Sequence, residues 1–139
     1  MESVAQQMAH IFMTAEWQQR VNPQPHPLLM KAAQFKADDM LKWRYFAHMS
    51  LIGIMPNANV MNTGYPLPYD RHENNVESIG LNYNTPEDMF AAWLTGATHA
   101  RHITGSHEFF RNQECFGTGY AEGPEDAGKY YVLVSAPCP

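Results

Sequence analysis

The first half of the chain contains two stretches with the spacing of amphipathic helices. Residues 3–19 repeat apolar side chains about one helical turn apart, and three prolines within residues 23–27 end that pattern. A second helix is predicted from Pro27 to about Tyr45, because its apolar residues fall on one face: Leu29, Ala33, Ala37 and Met40. Residues 50–74 have no such periodicity and are predicted to form a long irregular connection, which in a small domain is usually functional or locally structured.

The second half of the chain changes from helical to alternating spacing. Residues 76–83 (VESIGLNY) alternate apolar and polar positions and predict a strand. Thr85 is a natural N-cap for a helix that begins at Pro86 and stops at Gly96. Two strand-like segments, CFGTGYAE and KYYVLVSA, flank the loop GPEDAG and predict an antiparallel hairpin. This order of elements favours an α+β or layered α/β/α domain over a helical bundle or a parallel sheet.

Length and charge narrow the classes of partner. A chain of 139 residues with 45% hydrophobic content suits a single domain spanning residues 1–139. Nine basic and fourteen acidic residues give a net charge of −5 without a basic stripe, so neither nucleic acid nor an anionic membrane surface is expected as a partner. The apolar runs are too short to span a bilayer, and the opening residues lack the pattern of a signal peptide.

The candidate catalytic and metal-binding motifs are weak when each is taken alone. The pair His99 and His102 has the i, i+3 spacing that places two imidazoles on one helix face, but the motif defines no third ligand. Both His-Glu dipeptides lack the second histidine of a zinc-protease helix, and no serine lies in a nucleophile elbow. The hairpin register places Cys115 opposite about Ser135, so Cys138 lies three residues beyond, and we predict free thiols in a reducing compartment.

Four segments in a fixed order carry a family resemblance. They are HPLLMKAAQFKADDMLKWRYFAH, matched to a helix with His48 as its terminal histidine, VESIG on the strand, TPEDMFAAWLTGATHARHI on the next helix and FGTGYA with YYVLV on the hairpin. Together they resemble the compact bacterial branch of the CAP superfamily, which contains cysteine-rich secretory proteins, antigen 5 and plant pathogenesis-related proteins. The resemblance covers about residues 27–134. It implies a three-layer α–β–α sandwich with a small central antiparallel sheet and a cleft above the sheet.

The resemblance also implies one site formed by His48, Glu77 and His99. In the family pattern two histidines and two glutamates face one another in the cleft and can hold zinc or another divalent cation. The residues themselves support the grouping, because Glu77 interrupts an apolar strand and a buried carboxylate needs partners such as imidazoles. The sequence departs from the pattern at Gly96, where a second glutamate is common, and at Ser78, where an asparagine is common.

Three functions follow as hypotheses. The leading one is a binding module whose cleft and loops recognise a small molecule, a lipid or a surface partner, with a weakly bound divalent cation at His48, His99 and Glu77. The second is a structural component displayed on a larger assembly, such as a virion or cell surface, which the absence of a leader favours. The third is a metal-dependent hydrolase with Glu77 as general base. The family resemblance implies an extracellular or surface location.

Overall fold

The computed structural model describes residues 2–139, and the order of its main elements is the predicted one. The elements are α1 (Val4–Thr14), β1 (Gln24–Pro25), α2 (Pro27–Trp43), α3 (Pro56–Asn62), β2 (Glu77–Leu81), α4 (Pro86–Thr95), α5 (Ala97–Thr104), α6 (Glu108–Arg111), β3 (Cys115–Glu122) and β4 (Lys129–Ala136). A short 3₁₀ turn, Glu125–Ala127, connects the last two strands. The connection predicted as irregular therefore contains one short helix, α3.

The sheet has the order β1-β3-β4-β2. Strand β4 lies in the centre and pairs antiparallel with both β3 and β2. The predicted antiparallel hairpin is thus confirmed, and Glu77 of β2 lies opposite Val134 of β4. The two-residue strand β1 pairs parallel with β3, which makes the sheet mixed and was not predicted.

Helices cover both faces of the sheet, which confirms the α–β–α layering. Strand β4 shows the period of two that such a layer needs: Val132 and Val134 pack in the cluster with α2 and α3, whereas Tyr131 and Leu133 pack in the cluster with α1 and α4. Trp93 of α4 is 2% exposed, and its Nε1 donates a hydrogen bond to the backbone oxygen of Ile79.

Small residues allow α2 to lie directly against β3. The alanines on the predicted apolar face of α2 are fully buried, and β3 contributes Gly117 and Gly119 at the contact. A Cβ atom at either glycine would collide with the α2 backbone near Leu29 and Ala33. The close approach of this helix therefore depends on the absence of side chains on the strand.

The helix ends differ from the predicted ends in ways that affect the site. Helix α1 ends at Thr14, five residues before the predicted limit. Helix α2 ends at Trp43, where Arg44 takes a left-handed conformation with φ of 54° and breaks the helical path. His48 consequently lies in the loop after α2 and does not close the helix. No helix among residues 2–139 has the length and apolar character that a membrane crossing requires.

The prediction of free thiols was wrong, because Cys115 and Cys138 form a disulfide. The register pairs Cys115 with Ala136 and not with Ser135, so Cys138 lies two residues beyond the paired position. The two Cα atoms are 5.1 Å apart, which is within the range that a disulfide can bridge. With the thiols bridged, the argument for a reducing compartment no longer stands.

Candidate functional site

The structure brings the three predicted site residues to the wall of one small cavity. The cavity has a volume of about 100 Å³. Glu77 reaches it from the first residue of β2, His99 from the first turn of α5, and His48 from the loop after α2. Residues that are 51 positions apart in the sequence (48 to 99) therefore share one surface, which the separate motifs could not establish.

A hydrogen bond joins His48 to Glu77. His48 Nδ1 lies 2.9 Å from Glu77 Oε1. An ionised carboxylate can only accept, so Nδ1 carries the hydrogen and Nε2 keeps a lone pair. The amide nitrogen of Asn74 is 3.3 Å from the same Nδ1 and is the longer of the two contacts. Glu77 therefore fixes the tautomer and the orientation of the His48 ring.

The Glu77 carboxylate is buried and only half satisfied. Its side chain is 0% exposed, and Oε2 has no hydrogen-bond partner in the part of the chain that the structure describes. Buried polar atoms are almost always partnered, so an orphan oxygen beside a cavity indicates a place where a ligand or ion can be received.

A buried lysine holds the backbone of His48. Lys36 Nζ donates to the His48 carbonyl oxygen over 2.8 Å and to the Tyr45 hydroxyl over 3.2 Å. Burial lowers the pKa of Lys36, while the negative charges of Glu77 and Asp39 oppose that shift. The loop is therefore fixed at both the ring and the main chain of His48.

Asn74 is a positioning residue that the sequence reasoning missed. Its Oδ1 accepts from the Glu77 backbone nitrogen over 2.9 Å, and its Nδ2 donates to the Glu77 carbonyl oxygen over 3.2 Å. The side chain thus fixes the start of β2 and approaches His48 at the same time. The signal was the asparagine pair that precedes VESIG, since asparagine side chains often bond backbone groups two or three residues away.

His99 is half-buried, and its electrostatic environment favours the neutral ring. Burial lowers the pKa of His99, and the proximity of His48, which disfavours two positive rings side by side, lowers it further. A Cβ atom added to Gly96 would lie 3.5 Å from His99 Nδ1, so this nitrogen is next to the point where α4 ends and α5 begins. A neutral imidazole is the form that binds metal ions.

His102, the i, i+3 partner of His99, lies in a closed hydrogen-bond network. Its Nδ1 is 2.7 Å from the Ser78 hydroxyl oxygen, and its Nε2 is 2.8 Å from the Ser135 hydroxyl oxygen. Ser135 donates its proton to Gln113 Oε1 over 2.7 Å, so it accepts from Nε2–H, and His102 Nδ1 accepts from Ser78. Both ring nitrogens are used, and His102 has no lone pair left for a metal.

Two histidines of the cavity wall, His48 and His99, remain outside the His102 network. Among residues 2–139 no group of three or more histidine, cysteine, aspartate or glutamate side chains is placed to hold a metal ion. Glu77 Oε1 is bonded to His48, and Ser78, which replaces the family asparagine, bonds His102. His48 and His99 are the histidines of the cavity wall that lie outside the hydrogen-bond network of His102, and Glu77 lies behind His48.

The comparisons with known proteins establish the fold. The sequence matches no protein-family model and no curated protein. An outer surface protein from Borrelia burgdorferi has a similar structure with a TM-score of 0.69 at 16% identity, over 96% of this chain and 88% of the other. An extracellular protein containing an SCP domain, from Bacillus anthracis, has a TM-score of 0.74 at 14% identity, over 96% of this chain and 40% of the other. The chain therefore has the SCP, or CAP, fold that its sequence resembles.

Proposed function

We propose that this chain is a CAP-like binding module of an extracellular or surface protein, and that its cleft binds a divalent cation through His48 and His99. One observation carries the proposal: Glu77, a fully buried carboxylate, accepts the Nδ1 hydrogen of His48. Histidines that bind metals usually donate their other ring hydrogen to a carboxylate or carbonyl, which orients the ring and increases its basicity. Glu77 Oε1 therefore acts on His48, and Oε2 is the atom left to serve as the third ligand that the sequence suggested.

The size of the cavity favours an ion over a larger ligand. Pockets that take drug-sized molecules or lipids usually have volumes of about 300–1,000 Å³. The cavity at His48 and His99 has about 100 Å³, which suits an ion with a few waters. Imidazole ligands suit zinc, copper and nickel better than calcium or magnesium, so zinc is the first cation to test.

The number of ligands sets the expected strength of binding. Stable zinc sites usually have three or four protein ligands, and this cleft supplies two imidazoles and the single free oxygen of Glu77. We therefore expect weak, reversible binding with coordination positions left for water or for a donor from a partner. Nothing in the cleft specifically favours the hydrolase hypothesis, since the carboxylate assigned there as general base is bonded to His48.

Two observations support the proposed location. Disulfides persist in oxidising environments such as the cell exterior and the bacterial periplasm, and this chain has one between Cys115 and Cys138. The two structural neighbours carry the names of an outer surface protein and an extracellular protein. The chain spans 88% of the first neighbour and 40% of the second.

Isothermal titration calorimetry with zinc tests the proposed site. Adventitious metal is first removed with a chelator. Replacement of either ligand, His48→Ala or His99→Ala, should weaken zinc binding by about tenfold or more, because a single imidazole remains. The matched controls are His10→Ala and His72→Ala, since both histidines are exposed and belong to neither the cleft nor its hydrogen bonds. Equal binding by the wild type and the double variant His48→Ala/His99→Ala would refute the proposal.

A further inference from the structure

A second feature of the molecule is an exposed apolar segment after α2, on the same loop as His48. Ten large hydrophobic side chains are exposed among the described residues, and half of them fall within residues 43–52. They are Trp43, Phe46, Met49, Leu51 and Ile52, with Ile52 at 84% exposure. We call this set the apolar loop surface. Soluble proteins seldom concentrate exposed apolar side chains in this way without a binding role.

The tip of the loop is held in place by its own backbone. Ser50 N donates to the Ile54 carbonyl oxygen over 2.9 Å, and Gly53 N donates to the Ser50 carbonyl oxygen over 3.0 Å. Gly53 has a φ of 84°, a conformation that a glycine adopts without strain. The turn therefore presents Leu51 and Ile52 outward as part of a fixed structure.

An apolar groove lies directly behind the tip. It has a volume of about 360 Å³ and runs between α2 and the loop, lined by Phe35, Trp43, Leu51, Ile52 and Ile54 with Ser50 and Asp39. The two polar residues have internal partners: the Ser50 hydroxyl accepts from Ile54 N, and the Asp39 carboxylate accepts from the Tyr45 hydroxyl. The exposed part of this region is therefore almost entirely apolar.

Charge along this part of the chain has the opposite sign to that of the whole molecule. The fourteen acidic residues all lie outside residues 40–69, and that stretch carries Lys42 and Arg44. Asp38 and Asp39 precede this stretch on α2. Gln34 donates a hydrogen bond to Asp38, and the negative charge of Asp39 raises the pKa of Lys36 against the effect of burial. From the net charge of −5 we expected no anionic membrane partner. That total includes a segment, residues 40–69, in which the only charged residues are the basic Lys42 and Arg44.

We propose that the apolar loop surface docks this protein on an anionic lipid bilayer. Leu51 and Ile52 would enter the boundary of the acyl chains, where exposed aliphatic side chains are favoured. Trp43 would lie at the level of the headgroups, which tryptophan prefers, with the Lys42 ammonium 5.0 Å from its ring centroid. Lys42 and Arg44 would face the lipid phosphates. Exposed aliphatic side chains next to two basic residues suit an anionic bilayer.

Co-sedimentation with lipid vesicles tests the proposal on the full chain. Vesicles of phosphatidylcholine mixed with phosphatidylglycerol should bind the protein, and Ile52→Asp should lower the bound fraction by about tenfold or more. Val21→Asp is the matched control, because Val21 is 91% exposed and lies outside the apolar loop surface. Both substitutions are at exposed positions, so thermal unfolding should show that both variants are folded like the wild type.

Tryptophan fluorescence gives an independent readout. The chain has three tryptophans, at positions 17, 43 and 93, and Trp43 is the one in the apolar loop surface. The emission should shift to shorter wavelength when vesicles are added, and Trp43→Phe should remove the shift. Absence of vesicle binding, equal binding by the Ile52→Asp variant, or equal binding to pure phosphatidylcholine would each overturn the proposal. So would a concentration-dependent dimer that Ile52→Asp dissociates while no vesicles bind, since the surface would then serve a second copy of the chain.

Discussion

His48 and His102 line the same small cavity, but they differ in how many of their ring nitrogens form hydrogen bonds within the protein. Both nitrogens of His102 bond serine hydroxyls in the buried interior, and its pKa lies well below 6.5, chiefly because burial disfavours the charged ring. His48 uses one nitrogen on Glu77, and its side chain is 39% exposed. The unused ring nitrogen is what distinguishes a candidate ligand from a structural histidine.

The groups behind the two histidines differ in the same way. Behind His102, Gln113 is fully buried and fully satisfied: it accepts from Ser135 and donates to the Tyr69 hydroxyl and the Asn75 carbonyl oxygen. Behind His48, Glu77 keeps one buried oxygen without a partner among the described residues. A network that closes on itself stabilises the fold, whereas one that leaves an atom unpaired keeps capacity for a ligand.

The largest effect that would test this comparison is expected from His102→Ala. The substitution removes a buried ring, takes the acceptor from the Ser78 hydroxyl and leaves Ser135 with Gln113 but without the His102 hydrogen. Cavity formation and unsatisfied hydroxyls together should lower the free energy of unfolding by about 3–5 kcal/mol. Urea denaturation measures the loss, with His10→Ala at an exposed position as the histidine-to-alanine control. A loss no greater than that of the control would contradict the structural role of His102.

The next effect concerns Glu77→Gln, which keeps the shape of the side chain and removes its charge. Loss of a carboxylate behind a metal-binding histidine typically weakens metal affinity by about 10–100-fold. The same change should leave the free energy of unfolding unchanged or slightly raised, because a buried, half-satisfied carboxylate does not stabilise the fold. Parallel zinc titration and urea denaturation separate the two results. A large loss of stability with unchanged zinc affinity would place Glu77 with the structural network.

A smaller effect should appear in the pH dependence of stability, measured without metal. The folded state holds His102 neutral, whereas in the unfolded chain its pKa is near 6.5. Below that pH the unfolded state binds more protons, so the free energy of unfolding falls as the pH is lowered, by about 1 kcal/mol per pH unit. The lowered pKa of His99 acts in the same direction.

The control for that measurement is His102→Gln, which removes the titrating ring. Its stability should depend less steeply on pH than that of the wild type, whatever its absolute stability. Parallel slopes for the two proteins between about pH 6.5 and about pH 5 would show that His102 is protonated in the folded state, against its position in the buried network.

The sequence predicted the fold because local signals and packing agree in most elements. Thr85 caps α4 as expected, with its hydroxyl accepting from Asp88 N, and Gly96 ends the helix. The alternation in β4 distributes its side chains between the two layers as a buried central strand requires. These features depend on neighbours within a few positions, which a single sequence contains.

The sequence could not settle features that depend on exact distances between remote segments. The disulfide prediction failed because the hairpin register differs by one residue from the assumed one. The sequence assigned Glu77 as a third ligand. In the structure Glu77 Oε1 faces His48, and the position of His48 depends on the loop that begins where α2 ends, at Trp43. Net charge is a property of the whole chain, so it gave no indication of the stretch without acidic residues at residues 40–69.

The smallest expected effect is that of His48→Ala on stability, and it completes the comparison. The ring is partly exposed, so its removal opens the cavity and lets water take the place of Nδ1 at Glu77 Oε1. The loop also keeps its anchor, since Lys36 bonds the His48 carbonyl oxygen and not its side chain. We therefore expect the free energy of unfolding to change by less than about 1 kcal/mol, measured by the same urea denaturation as His102→Ala. Equal losses of unfolding free energy for the two variants would mean that both histidines are structural, which would contradict the assignment of the cleft as a binding site.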